Sequence, residues 1–311
     1  MKLILAPMEG VTDFVMRDML TQLGGIDQCV TEFLRVTCRL HPHSVFYKNC
    51  PELKMNSRTR AGTPVFVQLL GGQAGPLAEN AQRAAELGAV GIDLNFGCPA
   101  KTVNRHDGGA TLLQYPQRIF DIVKTVRVAV PAAVPVSAKM RLGFQDTALA
   151  LDNARAIAEA GATFMTIHCR TKLQGYRPPA HWEWIPRLQE VVKVPVVANG
   201  DIYSMQTFKK CVEVSGAEQF MIGRGALSDP RIFKRIKEQE SVQAPWLEAK
   251  ALLPKFFEAS VSYINPHFAT SRTKQWLKAL SLAHPEAKDV FNEIKTLKTR
   301  EFQLGLERLC L

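Results

Sequence analysis

PVFVQLLGGQAGPLAENAQRAAELGAVGIDLNFG, residues 64–97, contains one full structural period of the chain. Pro64–Leu70 is a nearly continuous apolar run of strand length, the pattern of a strand buried on both faces of a parallel sheet. Pro76–Leu87 spaces its apolar residues by three and four, which predicts a helix capped at Gly88. Val90–Gly97 then returns to strand.

The same alternation runs outward in both directions. Strand-like runs begin at Leu3 (LILAP), Cys29 (CVTEF), Pro135 (PVSAKMRLG), Thr163 (TFMTIHCR), Val194 (VPVVANGD) and Gln219 (QFMIGRGAL). Helical spacing recurs over Pro116–Val130 and Ala148–Ala160, with Gly161 as a second cap. Eight strand–helix units over about 235 residues predict an α/β fold, a (β/α)8 TIM barrel, for which about 250 residues is usual. A doubly wound sheet is the alternative, but eight near-equal units without a G-x-G-x-x-G turn favour the barrel. The insert Arg35–Thr63 carries six Lys/Arg and one acid, Glu52. SVQAP at 241–245 reads as a linker. Beyond it only helical periodicity remains, so residues 1–240 are expected to form the barrel and 241–311 a small helical domain.

Composition bounds the function. Of 311 residues 46% are apolar, enough for a sizeable core, and no apolar run approaches the roughly 20 residues of a membrane helix. MKLILAPMEG has no signal-peptide character, so a cytoplasmic protein without membrane association is expected. Seven cysteines form an odd set with no C-x-x-C pair, which excludes disulfide and zinc scaffolds; no metal is expected. The net charge of +10 suits a polyanionic partner without specifying one.

Barrel enzymes carry their chemistry at the C-terminal ends of the strands. Those ends read Pro7-Met8-Glu9, Glu32, Gln68, Asn95 with Cys98, Lys139 with Arg141, His168, Asn199-Gly200-Asp201 and Gly223-Arg224. The two glycine-bearing ends follow strands seven and eight, where barrels commonly build a phosphate site, and Arg224 could add a bidentate contact. Turn glycines without a ligand are the plain alternative. Lys139 inside an apolar strand needs an anion or a salt bridge, to Glu32 or Asp93 for example. Beside a flavin it would stabilise negative charge on the reduced ring, with Gln68 on the same edge. Cys98 has no evident base partner; a protonated thiol could donate a proton, and a structural cysteine is the competing reading.

These stretches also resemble a known family. APMEGVTD (6–13), TEF (31–33), QLLG (68–71), DLNFGCPAKTVN (93–104), GGATLL (108–113), KMRLG (139–143), IHCRTKLQGY (167–176), VVANGDI (196–202) and MIGRGAL (221–227) look like the flavin-dependent tRNA-dihydrouridine synthases. N-x-G-C-P-x-K is specific to that family, and the order is kept through the barrel and into the helical tail. The resemblance implies an NADPH-reloaded FMN that reduces the C5–C6 bond of a uracil in tRNA. It places Pro7, Met8 and Glu9 beside the flavin ring, Gln68, Lys139 and His168 around its polar edge, and Asn199, Gly200, Asp201, Gly223 and Arg224 on the ribityl phosphate.

Cys98 becomes the proton donor to C5 while hydride goes to C6. Asn95 and Arg141 would grip a flipped uracil, stacked against Tyr176. Arg35, Arg272, Lys274, Lys278 and Lys295 are the expected tRNA backbone contacts. MKLILAPMEGVTD, NFGCPAKTVN and SRTKQWL (271–277) resemble the bacterial C subfamily, which acts on uridine 16 of the D-loop, with uridines 17, 20 or 20a as alternatives. A monomer docking the tRNA elbow is expected. Two rivals remain: a dihydroorotate dehydrogenase-like FMN reductase acting on a free pyrimidine, and a tRNA-binding module with a vestigial flavin site.

Overall fold

The computed structural model describes residues 1–243 and 245–310. Its strands are β1 (Lys2–Leu5), β2 (Gln28–Val30), β3 (Leu34–Arg35), β4 (Val65–Leu70), β5 (Ile92–Phe96), β6 (Val136–Gly143), β7 (Met165–Thr171), β8 (Val196–Asn199) and β9 (Gln219–Ile222). They lie in the order β2-β1-β9-β8-β7-β6-β5-β4-β3, all neighbours parallel. A further parallel pairing of β2 with β4 closes the sheet into the expected barrel.

One expectation needs correcting. The second stave is not a single strand: β2 pairs with β4 at Cys29–Val65 and Val30–Phe66, and β3 resumes on the same neighbour at Leu34–Leu69 and Arg35–Leu70. Between the two pieces the Thr31 hydroxyl, not a strand carbonyl, accepts the Gln68 N–H at 3.0 Å. The CVTEF run is therefore strand only as far as Val30.

Side chains alternate in and out along each stave. Ile4, Ala6, Val30, Phe66, Val197 and Met221 point in and, with Phe164, form an apolar plug inside the barrel. Toward the C-terminal ends of the staves the inward positions are polar: Gln68, Asn95, Lys139, His168 and Asn199. The outward positions face helices. Pro116–Ala129 buries Ile119, Ile122, Val123 and Val126, spaced i, i+3, i+4, i+7. Each such side chain contributes roughly 1.5–3 kcal/mol on burial, which is what holds a helix that would be marginal alone. The expected helices appear as Ala74–Glu86, Pro116–Ala129 and Ala150–Glu159.

The insert after β3 folds into a helix, His43–Asn49, and a 3-10 turn, Pro51–Met55. Its one acid is buried. Glu52 takes Arg17 Nε at 2.7 Å and Nη2 at 2.8 Å, with both side chains 0% exposed. Arg17 also donates to Thr12 O at 2.8 Å, tying the insert to the loop after β1.

From Trp246 the described residues are helical: Trp246–Lys250, Leu252–Tyr263, Pro266–Leu280, Glu286–Ile294 and Thr299–Cys310. Leu253, Phe256, Trp276, Leu277, Leu280 and Phe302 build their interior. Trp276 packs edge-on against Phe256 and donates its indole N–H to Leu227 O at 3.1 Å, anchoring the helices to the barrel. Ala244, within the expected linker, and Leu311 lie outside the described residues.

Candidate active site

The polar upper layer of the barrel opens into a cleft of about 460 Å³ at the C-terminal ends of the staves. Fifteen residues singled out in the sequence line it: Pro7, Met8, Glu9, Gln68, Asn95, Cys98, Lys139, Arg141, His168, Tyr176, Asn199, Gly200, Asp201, Gly223 and Arg224. Register explains the convergence, because Asn95 sits opposite Lys139, Arg141 opposite His168, and His168 opposite Asn199.

Lys139 stands half-buried on the floor. Its ammonium donates to Asn199 Oδ1 at 3.2 Å, and Asn199 Nδ2 in turn donates to Met221 O at 2.7 Å. Neither salt bridge weighed for it in the sequence is made, to Glu32 or to Asp93; a neutral amide partners it and leaves its charge directed at the cleft. Burial, reinforced by Arg141, pulls the ammonium down to about 8, against the pull of Asp93. His168 lies among cations: burial, then Arg141, Lys139, Arg170 and Arg224, push its imidazole well below the usual value, so the ring is neutral. Arg170 Nη1 lies 3.4 Å from His168 Nε2. A guanidinium can only donate, so Nε2 accepts and Nδ1 carries the hydrogen.

Cys98 sits on the cleft wall in the loop after β5. Asn95 Oδ1 accepts the N–H groups of Gly97 and Cys98, each at 2.9 Å, and the Cys98 carbonyl accepts from Ala110 N and Asn104 Nδ2. Burial pushes the thiol above its ordinary value, and the Ala100 amide with Arg141 and Arg35 only partly offset this. The group is a thiol at neutral pH. Nearby, partial burial and the Glu32 carboxylate raise Glu9 to about 7. Arg141 spends Nε on Gly97 O and Nη1 on Thr171 O and Gly175 O, bracing the walls on both sides. Tyr176 is 54% exposed at the mouth, with Arg141 and Arg224 each about 5 Å from its ring.

At the far end Asp201 adopts a left-handed backbone (φ 54°) and accepts from Arg170 and from Ala180 N. Arg224 lies 3.7 Å from its other oxygen. One glycine here is required by space: a Cβ on Gly225 would fall 2.0 Å from Ile202 O, whereas one on Gly223 would only crowd the Met8 side chain, with Sδ at 3.2 Å. The floor thus offers a cation, an amide and a neutral imidazole to a flat polar edge, and the rim offers Arg224 beside a glycine-lined cradle to an anion. The donor set suits a planar group that gains negative charge and ends in a phosphate.

The model of the family described as dihydrouridine synthase (Dus) matches residues 4–304. The chain belongs to the dihydrouridine synthase family. Curated relatives include the tRNA-dihydrouridine(16) synthase of Aquipseudomonas alcaligenes, 50% identical over 95% of each chain, and that of Ralstonia nicotianae, 47% identical over 98% of this chain and 94% of the relative. Among solved structures, a 2-naphthoyl-CoA reductase complex superposes with a TM-score of 0.59 at 11% identity, covering 76% of this chain and 50% of that one. Morphinone reductase does so with 0.54 at 12% identity, covering 78% and 87%. At those identities the structures speak to the barrel alone.

The remaining basic residues lie outside the cleft. Arg35 Nη2 reaches Thr102 O at 3.3 Å on the neighbouring rim. Arg272, read in the sequence as a tRNA contact, is engaged at the seam between helices and barrel: it donates to Gly10 O at 2.7 Å, to Val11 O and to Asp13. Lys274 donates to Lys295 O and Leu297 O, closing the end of the helix Glu286–Ile294. Lys278 and Lys295 are exposed, and Lys295 Nζ donates to Asn292 Oδ1. Sequence reasoning missed Arg170, which is fully buried and touches both His168 and Asp201. Its signal was available, because Arg170 follows His168 by two in a strand and so shares its face. Among the described residues no group of three His, Cys, Asp or Glu is placed to hold a metal, and no helix is long and apolar enough to cross a membrane.

Proposed function

We propose that this chain is a flavin-dependent tRNA-dihydrouridine synthase acting on uridine 16 of the D-loop, with FMN as cofactor and NADPH as reductant, and that it works as a cytoplasmic monomer. The observation that carries this reading is the cleft itself. Lys139, Gln68 and the neutral His168 meet on its floor while the Cys98 thiol, protonated at neutral pH, stands on its wall. Curated relatives named for that activity match nearly end to end.

FMN, when bound, would supply hydride chemistry at C6 of the uracil. Lys139 and Gln68 would hold its polar edge where negative charge collects, and His168 would donate there through Nδ1–H. Arg224 with the Gly200 and Gly223 backbone would hold its phosphate, and Pro7, Met8 and Glu9 would border its ring. Asn95 and Arg141 orient the uracil, Tyr176 stacks on the flipped base, and the Cys98 Sγ–H proton passes to C5, leaving a thiolate that solvent reprotonates. Residues 1–240 form the catalytic domain. Residues 241–311 form a tRNA-recognition domain whose backbone contacts come from Lys278 and Lys295, with Lys274 and Arg272 beside them and Arg35 across the rim.

The test is Cys98→Ala. It is expected to retain a flavin spectrum that bleaches anaerobically on NADPH, and to form no dihydrouridine in unmodified tRNA. Normal turnover on tRNA would remove the proton-donor role. A colourless protein that cannot be reconstituted with FMN would remove the flavin enzyme altogether, and dihydrouridine mapped elsewhere would move the target uridine.

A further inference from the structure

Asp93 is a buried acid that the chemistry above does not use. It is 1% exposed, on the inner face of β5, two residues before Asn95. Asp93 Oδ1 accepts from Ser137 Oγ at 2.6 Å and Oδ2 from Gln68 Nε2 at 2.7 Å. Gln68 Oε1 accepts from Asn95 Nδ2 at 2.9 Å, and Asn95 Oδ1 accepts the N–H groups of Gly97 and Cys98 at 2.9 Å. We infer that Asp93 is a positioning residue for Cys98, acting through the fixed orientations of two amides.

The argument is one of donors and acceptors. The two backbone N–H groups can only donate, so Asn95 must turn its oxygen to them and its NH2 to Gln68. Gln68 must then answer with oxygen, which turns its own NH2 down the barrel. An acceptor is therefore demanded at position 93, and a carboxylate is the side chain with no competing N–H. Ser137 satisfies its remaining oxygen. A buried polar chain of this kind is either complete or costly, since each unmade bond strands a desolvated group. The spacing D-x-N-x-G-C at 93–98 places the anchor, the relay amide and the held thiol residue on one strand end. The significance of that thiol rests on the reading of Cys98 as proton donor, but the chain itself does not.

The test removes one link of the chain at a time in the flavin-loaded, full-length protein. Labelling with 15N-cysteine gives amide signals for the seven cysteines, and the Cys98 signal is the one lost in Cys98→Ser. Asn95→Ala removes the acceptor and moves that signal upfield. Gln68→Met removes the oxygen that accepts from Asn95 Nδ2 and moves it the same way. Asp93→Leu removes the acceptor of the Gln68 NH2 and moves it too, whereas Asp93→Asn keeps an oxygen available to Gln68 and leaves it in place. Because Asp93 acts through Gln68, Asp93→Leu/Gln68→Met displaces the signal no further than Gln68→Met alone, and iodoacetamide labelling of Cys98 follows the same order. A general packing role predicts that the two substitutions add. An unmoved signal in Asn95→Ala, Gln68→Met or Asp93→Leu, or a double variant displaced by the sum of the two, overturns the proposal. None of these outcomes depends on whether Cys98 protonates uracil, which Cys98→Ala decides separately.

Discussion

Replacing Glu52 with Gln removes one charge from a pair that has no access to water. Arg17 and Glu52 are both 0% exposed and meet through two hydrogen bonds of 2.7 and 2.8 Å. The glutamine keeps the shape but turns an NH2 toward a guanidinium that cannot accept, and leaves a buried cation without its counter-charge. Losing one partner of such a pair costs about 3–5 kcal/mol, against a total of roughly 5–15 kcal/mol for a folded domain. Denaturant unfolding followed by far-ultraviolet circular dichroism reads that loss. Arg17→Met/Glu52→Leu is expected to be milder, because no charge is stranded and the main cost is the Thr12 carbonyl left without its donor, about 1–3 kcal/mol. The damage also reaches the cleft, since Thr12 Oγ accepts the Met8 N–H at 2.8 Å. A Glu52→Gln loss below about 1 kcal/mol, or a double variant weaker than the single, would refute the reasoning that this pair is dry and held by charge.

Gly225→Ala would place a Cβ 2.0 Å from a backbone carbonyl, so two segments of the glycine-lined cradle must part by about 1 Å. Turnover is expected to fall about 100-fold with weaker flavin retention, checked by the flavin-to-protein absorbance ratio. His168 is held neutral in the fold but takes a proton when unfolded, so it makes stability fall as pH drops through about 6.5, by up to about 1.4 kcal/mol per pH unit. His168→Gln should flatten the unfolding free energy measured between pH 5 and 7 by that one-proton slope. Lys278→Ala and Lys295→Ala should each weaken tRNA binding and lower its logarithmic salt slope by about one; unchanged slopes in filter-binding titrations would move the docking surface elsewhere.

The barrel was legible because its staves are buried on both faces, which leaves long apolar runs no helix or loop would carry. Lys139, His168 and Asn199 stood out because a polar side chain inside such a run has to be explained. The break at Thr31 was not legible: a hydroxyl replacing a carbonyl on the Gln68 amide leaves the residue pattern unchanged. Basic residues were the hardest to place. Arg17, Arg170 and Arg272 are internal ties, while Lys278 is exposed. A cation's destination depends on where its acceptor lies, and Glu52, Asp201 and the Gly10 carbonyl are each distant in sequence from the arginine they hold. Glu52 itself is the one acid in a stretch with six Lys/Arg, which gave no sign that it would be buried.

The seam made by Arg272 and Trp276 bears on how the protein can be divided. The guanidinium closes the carbonyls of a loop whose residues Met8, Glu9 and Val11 form a cleft wall, and the indole closes the carbonyl of Leu227 just past the glycine-lined cradle. A chain cut at residue 240 is therefore not a smaller enzyme lacking an accessory module. It is a barrel with an unsupported mouth. Grafting the helical tail onto another barrel would have to carry residues 10–13 along with the helix that grips them, because Arg272 holds both sides of that seam.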